Sequence, residues 1–266
     1  FSSGMLKVFD NMPQVGGVLG ENDIDNIGKL FVMLEKILND RKKVFGGGNY
    51  AQYVKAYGVR YPAIFLVIDN YSGFSEKTEN EYADTVLKFA REGVAYGIFL
   101  ALSSAGFGMS EIPNRIGDNI KNIVSLEMGD KFKYMDVLRS SHINVLPEAD
   151  IKGRGLVNIK GSILEFQTAL SLEAEDDYKR GQIIEKLADD MCKAWNGKYA
   201  RRIPVIPEKP TMGEFEKNVD VIEENSGKDI IPFAYMQKDA SVFGINLMKT
   251  YCYLVAGKRG TGKTVL

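Results

Sequence analysis

Eight residues near the end of the chain, Gly257-Lys258-Arg259-Gly260-Thr261-Gly262-Lys263-Thr264, have the spacing G-x-x-x-x-G-K-[ST]. Glycines at such positions let successive backbone N–H groups turn toward one anion. A lysine adds a point charge, and a hydroxyl offers an oxygen to a hard cation. The pattern reads as a phosphate-binding loop in which Lys263 reaches the β- and γ-phosphates of a nucleotide and Thr264 ligates Mg2+. The apolar run at 251–256 reads as a buried strand leading into it, the context that makes the motif specific. Such a site also uses the positive end of the helix behind the loop. Only Val265 and Leu266 follow, so the loop is expected to open a domain whose body is not in the sequence.

Far upstream, Asp69 closes the apolar run Ile64-Phe65-Leu66-Val67-Ile68. A carboxylate emerging at the C-terminal edge of a buried strand can hold Mg2+ or its water, the Walker B arrangement. The next residue is Asn70. An amide orients water but cannot accept its proton, so hydrolysis here is expected to be slow or absent. The plainer reading is a strand ending in a turn-forming Asp-Asn pair. Ser103 and Ser104 follow the next apolar run, where a hydroxyl could sense a γ-phosphate, though serine there also does ordinary turn chemistry. Arg91, Arg115, Arg139 and Arg154 are candidates for reaching a neighbouring subunit's phosphate; each also fits a surface or capping role. His142 reads as a loop residue and Trp195 as packing.

The elements that must hold these residues show in the hydrophobic spacing. Ile24, Ile27, Leu30, Phe31, Leu34, Ile37 and Leu38 recur with helical period from an Asp23 N-cap to Arg41, and Gly46-Gly47-Gly48 stops the helix. A second helix is expected over 79–95, with Tyr82, Val86, Phe89 and Val94 inward, and shorter ones over 112–120 and 130–139. Strands are expected at 64–69, 98–102 and 122–126 in one mostly parallel sheet covered on both faces. An edge hairpin is expected at 155–159 and 164–170, and a long closing helix at 175–195. Three prolines in the run 201–210 mark an extended linker. Short strands near 233–236 and 242–245 then lead to the phosphate loop.

Composition bounds the class. The 266 residues are 45% hydrophobic and 26% charged, ordinary globular material. Lys+Arg 34 against Asp+Glu 35 leaves a net charge of −1, with no overall footprint for nucleic acid. Cys192 and Cys252 read as reduced core residues, and with the single His142 they cannot form a four-ligand metal site. Walker A standing after Walker B, with a linker between, fits two truncated domains better than one.

Several motifs together resemble one family: Phe1-Ser-Ser-Gly-Met-Leu-Lys7, Met12-Pro-Gln-Val-Gly-Gly-Val18, Ile64-Phe-Leu-Val-Ile-Asp-Asn-Tyr71, Ala90-Arg-Glu-Gly-Val-Ala-Tyr-Gly97, Gly153-Arg-Gly-Leu156, Glu165-Phe-Gln-Thr-Ala-Leu170 and Phe243-Gly-Ile-Asn-Leu-Met248. In this order, over nearly the whole chain, they resemble the FtsK/SpoIIIE-type ATPases of bacterial type VII secretion, the EssC/EccC group. The resemblance implies an α/β P-loop NTPase fold of RecA/FtsK type with a mostly parallel central sheet, truncated at both ends. Residues 1–196 would be a middle ATPase module lacking its Walker A start, 197–229 a linker, and 230–266 the first strands and phosphate loop of the next module. It further implies ATP and Mg2+ as cofactors, with Asp69 and Thr264 holding metal in separate modules. The implied role is a motor or coupling element at the cytoplasmic face of the plasma membrane, with the membrane anchor outside this stretch. Implied partners are other ATPase modules of the same chain, a homo-hexameric assembly, membrane secretion components and small helical WXG-motif export substrates. A DNA-translocating pump and a non-hydrolysing scaffold are the alternatives; the near-neutral charge and Asn70 weigh against the pump.

Overall fold

The computed structural model describes residues 4–106, 111–218, 221, 229–249 and 252–261. Tyr251, Gly262, Lys263 and Thr264 lie outside the described residues.

Helix α1 (Ile24–Phe45) buries Ile27, Phe31, Leu34, Leu38, Arg41 and Phe45, a stripe advancing by three or four residues. It runs one turn beyond the expected Arg41 and stops where Gly46 turns left-handed at φ 57°. Asp23 does not cap it through its side chain; the carboxylate accepts the Gly20 N–H instead, at 2.8 Å. Helix α2 (Tyr50–Tyr57) starts with a reciprocal Asn49–Gln52 capping box. Strand β1 (Ile64–Ile68) then leads through Asp69 and Asn70 to α3 (Tyr71–Lys77), and α4 (Ala83–Glu92) follows. The expected helix over 79–95 begins late because Glu79 and Asn80 adopt positive φ. Its last turn, Gly93–Tyr96, is a 3-10 helix with Val94 61% exposed rather than inward.

Strand β2 (Ile98–Leu102) pairs parallel with β1, from Ile64 opposite Ile98 to Ile68 opposite Leu102. The main core joins α1, β1, α3, α4 and β2, with Leu66, Ile68, Val86, Phe89 and Ile98 buried. Short α5 (Asn114–Gly117) adds Ile116 to it. The apolar strand runs imply cover on both faces, yet Phe65 and Val67 are 71% and 57% exposed. Among the described residues Phe65 stacks on its neighbour Phe99, ring centroids 5.1 Å apart.

The described residues do not build the expected single, mostly parallel sheet. Strand β3 (Val124–Leu126) leaves β1 and β2 and pairs antiparallel with β4 (Arg154–Ile159), which pairs antiparallel with β5 (Ser162–Gln167). The cause is local. Ser125 is buried while Val124 and Leu126 face out, the alternation of an antiparallel strand with one covered face. The β4–β5 hairpin, turned by Lys160 and Gly161 at positive φ, offers it a ready edge. Helix α6 (Lys131–Leu138) covers this sheet: its Tyr134, Val137 and Leu138, with Ile143 from the segment after it, cluster with the buried Leu156.

Helix α7 (Asp177–Ala194) packs on the 3-10 turn Gly4–Phe9. The start of the expected linker is not loose. Ala200 N–H donates to Pro13 O at 2.8 Å and Ile203 N–H to Gly16 O at 3.0 Å, and Ile203 is buried. Helix α8 (Met212–Phe215) brings Phe215 against Val242 and Tyr235, on the antiparallel pair β6 (Ile230–Tyr235) and β7 (Val242–Asn246). Residues 252–258 form no strand. Leu254 is 93% exposed, so the buried run expected there lacks the neighbouring strand and apolar cover that would hold it. Cys252 is exposed and Cys192 half-buried, neither of them a core residue.

Candidate functional site

Parallel pairing of β1 and β2 places the residues after each strand side by side, at the carboxyl edge where open α/β sheets bind ligands. Ser103 Oγ donates to Asp69 Oδ1 at 2.5 Å and accepts the Asn70 N–H at 2.9 Å. Tyr71 N–H reaches Ser103 O at 2.8 Å, continuing the ladder past the strands. Two of the residues singled out from the sequence, Asp69 and Ser103, thus form one unit. Ser104 turns elsewhere, donating to Glu111 Oε2 at 2.8 Å. Glu111 has no sequence signature; its place follows from Ile112, which anchors the next residue in the main core.

Asn70 has a structural occupation. It sits at φ 55°, ψ 71°, the left-handed region that Asn tolerates better than most residues. Its Oδ1 accepts from Gly73 N–H at 3.3 Å and Ser72 Oγ at 3.1 Å, capping α3. The amide oxygen that would orient an attacking water is therefore engaged at a helix start. Asn70→Ala is expected to lower stability by about 1–2 kcal/mol through the lost cap and the left-handed backbone, and Asn70→Gly by less. Urea unfolding of both variants measures this; equal losses would contradict it.

The described part of the phosphate-loop pattern, residues 257–261, is exposed. Gly260 takes φ 85°, and Lys258 O accepts from Thr261 N–H at 3.4 Å and from Thr261 Oγ1 at 2.7 Å. Tyr253 OH donates to Asn246 O at 3.0 Å, tying the approach to this turn to the end of β7. Of the four arginines considered for a role in trans, three are engaged within the chain. Arg115 pairs with Asp84, Arg139 donates to Gly117 O and lies by Asp118, and Arg154 pairs with Glu165 and Glu148. The Glu165 carboxyl is held below its ordinary value by the Glu148 N–H and then by Arg154. Arg91 and His142 are exposed. Trp195 is 37% exposed, with Nε1 donating to Lys198 O at 3.2 Å.

Among the described residues no cluster of three or more His, Cys, Asp or Glu could hold a metal. The oxygens of Asp69 and Ser103 still fit Mg2+, which keeps most of its waters and takes one or two protein oxygens beside phosphates. Among the described residues, too, no helix is long and apolar enough to cross a membrane.

No protein-family model matches the chain. It is 27% identical over 250 residues to the type VII secretion system protein EssC of Staphylococcus aureus (strain MRSA252), covering 92% of this chain and 16% of that protein. It is 28% identical over 219 residues to the ESX secretion system protein EccC of Thermomonospora curvata, covering 78% of this chain and again 16% of the relative. The chain thus spans about one sixth of the length of these curated relatives. Among solved structures, EssC ATPases 2 and 3 from Geobacillus thermodenitrificans superpose with a TM-score of 0.74 at 20% identity, over 93% of this chain and 46% of that one. Thermomonospora curvata EccC ATPases 2 and 3, in complex with a signal sequence peptide, give 0.67 at 24% identity, over 92% and 44%. The chain is a homologue of the EssC/EccC type VII secretion ATPases, with a fold seen in their second and third ATPase domains.

Proposed function

We propose that this chain is a nucleotide-binding motor or coupling segment of a membrane-anchored type VII secretion ATPase, working with ATP and Mg2+ at the cytoplasmic face of the bacterial plasma membrane. The observation that carries the reading is the hydrogen bond of Ser103 to Asp69 across the carboxyl ends of two adjacent parallel strands. Asp69 would hold Mg2+ or a water of its shell, and Ser103 would fix the carboxylate's rotamer and sense the phosphate side. Bound Mg2+ supplies charge neutralisation at the β- and γ-phosphates. Residues 257–264 would cradle a second nucleotide, with Lys263 on its phosphates and Thr264 on its metal.

In this reading residues 1–196 are a middle FtsK-like module whose own phosphate loop lies upstream in the parent protein. Residues 197–229 are the linker, and 230–266 open the following module. The outward apolar side chains Phe65 and Val67 support it, since a parallel sheet of this class is covered on both faces. The capping duty of Asn70 favours coupling with slow turnover over a fast hydrolase. Other modules of the same chain, a homo-hexamer, membrane components and small helical WXG-motif substrates are the partners; the signal sequence peptide bound to the EccC relative supports the engagement of an export substrate. Nucleic acid is not among them.

The test is binding of a fluorescent helical export substrate, and separately of duplex DNA, to the intact protein with and without Mg·ATP. Substrate binding that changes with Mg·ATP, and loses that dependence in Asp69→Ala, is the expected result. Nucleotide-dependent DNA binding in its place would favour the pump.

A further inference from the structure

At the opposite end of β1 and β2 from Asp69 lies a charge in the core. Arg41 is 3% exposed, and among the described residues no carboxylate is a hydrogen-bond partner of it. Instead Nη1 donates to Tyr96 O at 2.7 Å and Gly97 O at 3.2 Å, and Nη2 donates to Pro62 O at 2.6 Å. Tyr50 and Tyr61 flank the guanidinium, ring centroids 5.8 and 5.9 Å from Cζ, and Tyr50 OH donates to Tyr61 O at 3.0 Å. Burial pushes the guanidinium below its ordinary value, against the opposing influence of the two tyrosines. Such a burial is costly unless the donors are satisfied, and Nε has no partner among the described residues. A leucine would fill the stripe of α1 at less cost.

The three acceptors share one property: they precede a strand. Pro62 lies just before β1, and Tyr96 and Gly97 lie just before β2. Gly97 O also accepts the Ile64 N–H at 2.9 Å, the first rung of the parallel ladder. One rigid fork, fixed on α1, therefore sets where both strands begin. Parallel strands of equal length that start together end together, and these end at Asp69 and Ser103.

We propose that Arg41 is a positioning residue for the Asp69–Ser103 pair, locking the β1–β2 register from the far end of the sheet so that hydroxyl and carboxylate meet. The proposal rests on Asp69 and Ser103 being the working pair of the site. Lysine cannot replace the arginine, because one ammonium cannot span carbonyls on two chain segments with the geometry of a planar fork. Loosened register reaches the site as lost occupancy of the Ser103 contacts, with no change in the chemistry of the site residues themselves.

The test reads the far end directly, without nucleotide, so it stands or falls separately from the ATPase reading. In the 266-residue chain, amide hydrogen exchange at Asn70, whose N–H is held by Ser103 Oγ, is measured by NMR. The set comprises the parent chain, Arg41→Lys, Arg41→Met, Ser103→Ala and Leu38→Ala. Leu38 is fully buried on the same helix, three residues away, and controls for general loss of stability. With rates compared at matched global stability, set by adjusting denaturant, both Arg41 variants should speed exchange at Asn70 by about 10-fold. They should thereby approach Ser103→Ala, with Leu38→Ala near the parent. If Arg41→Met does not fold, Arg41→Lys carries the comparison alone. Exchange at Asn70 that rises no further in Arg41→Lys than in Leu38→Ala would overturn the proposal.

Discussion

Replacing Phe31 by alanine should cost about 3–5 kcal/mol, the range for truncating a buried aromatic. Phe31 is 3% exposed at the centre of an aromatic group. Its ring stacks on Tyr82 with centroids 4.9 Å apart and meets Phe74 at 6.2 Å and Phe89 at 6.4 Å. These contacts join α1 to α3, to α4 and to the turn before α4, so collapse around the void would have to move three segments at once. Phe65→Ala removes an equally large ring from an outward position and should change stability by no more than about 0.5 kcal/mol. Denaturant unfolding of the two variants gives the comparison. Equal losses would mean that the outer face of β1 and β2 is buried in solution.

Gly97→Ala should cost about 2–5 kcal/mol, for two reasons that add. Gly97 has φ 74°, where an L side chain costs about 1–2 kcal/mol. An added Cβ would also stand 2.6 Å from Tyr50 Cδ2 and 2.7 Å from its Cγ, overpacking worth about 1–3 kcal/mol. The second cause depends on Tyr50 and the first does not. Gly97→Ala together with Tyr50→Ala should therefore be less destabilised than the sum of the single variants. Strict additivity in unfolding experiments would remove Tyr50 from the explanation.

What could be read from the sequence follows the range of the forces involved. Local patterns were legible: the 3.6-residue stripe of α1, the apolar runs of β1 and β2, and the β4–β5 hairpin. The places of Asp69 and Ser103, just beyond β1 and β2, were legible too, because both apolar runs mark their own ends. Choices among partners were not. Nothing in Val124-Ser125-Leu126 says that β4 will take it before β2 does, and residues 252–256 are apolar enough for a strand that nothing here completes. The Asp-Asn pair shows that a base is missing, but not the left-handed backbone of Asn70 or its cap on α3. Arg41 left a signal that passed unread: it falls on the buried stripe at the spacing of Leu38 and Phe45, where a charge requires a reason.

The central claim is that Asp69 and Ser103 form half of a nucleotide site, completed by a phosphate loop other than residues 257–264. Calorimetric titration of Mg·ATP tests it most directly, into the 266-residue chain and into the longer protein that carries the preceding ATPase segment. The account predicts no saturable binding to the shorter chain and saturable binding to the longer one, where Asp69→Ala weakens affinity about 10-fold or more and Lys263→Ala leaves that site intact. Stoichiometric binding to the shorter chain that is lost in both Asp69→Ala and Lys263→Ala would contradict it, because one site would then contain both residues.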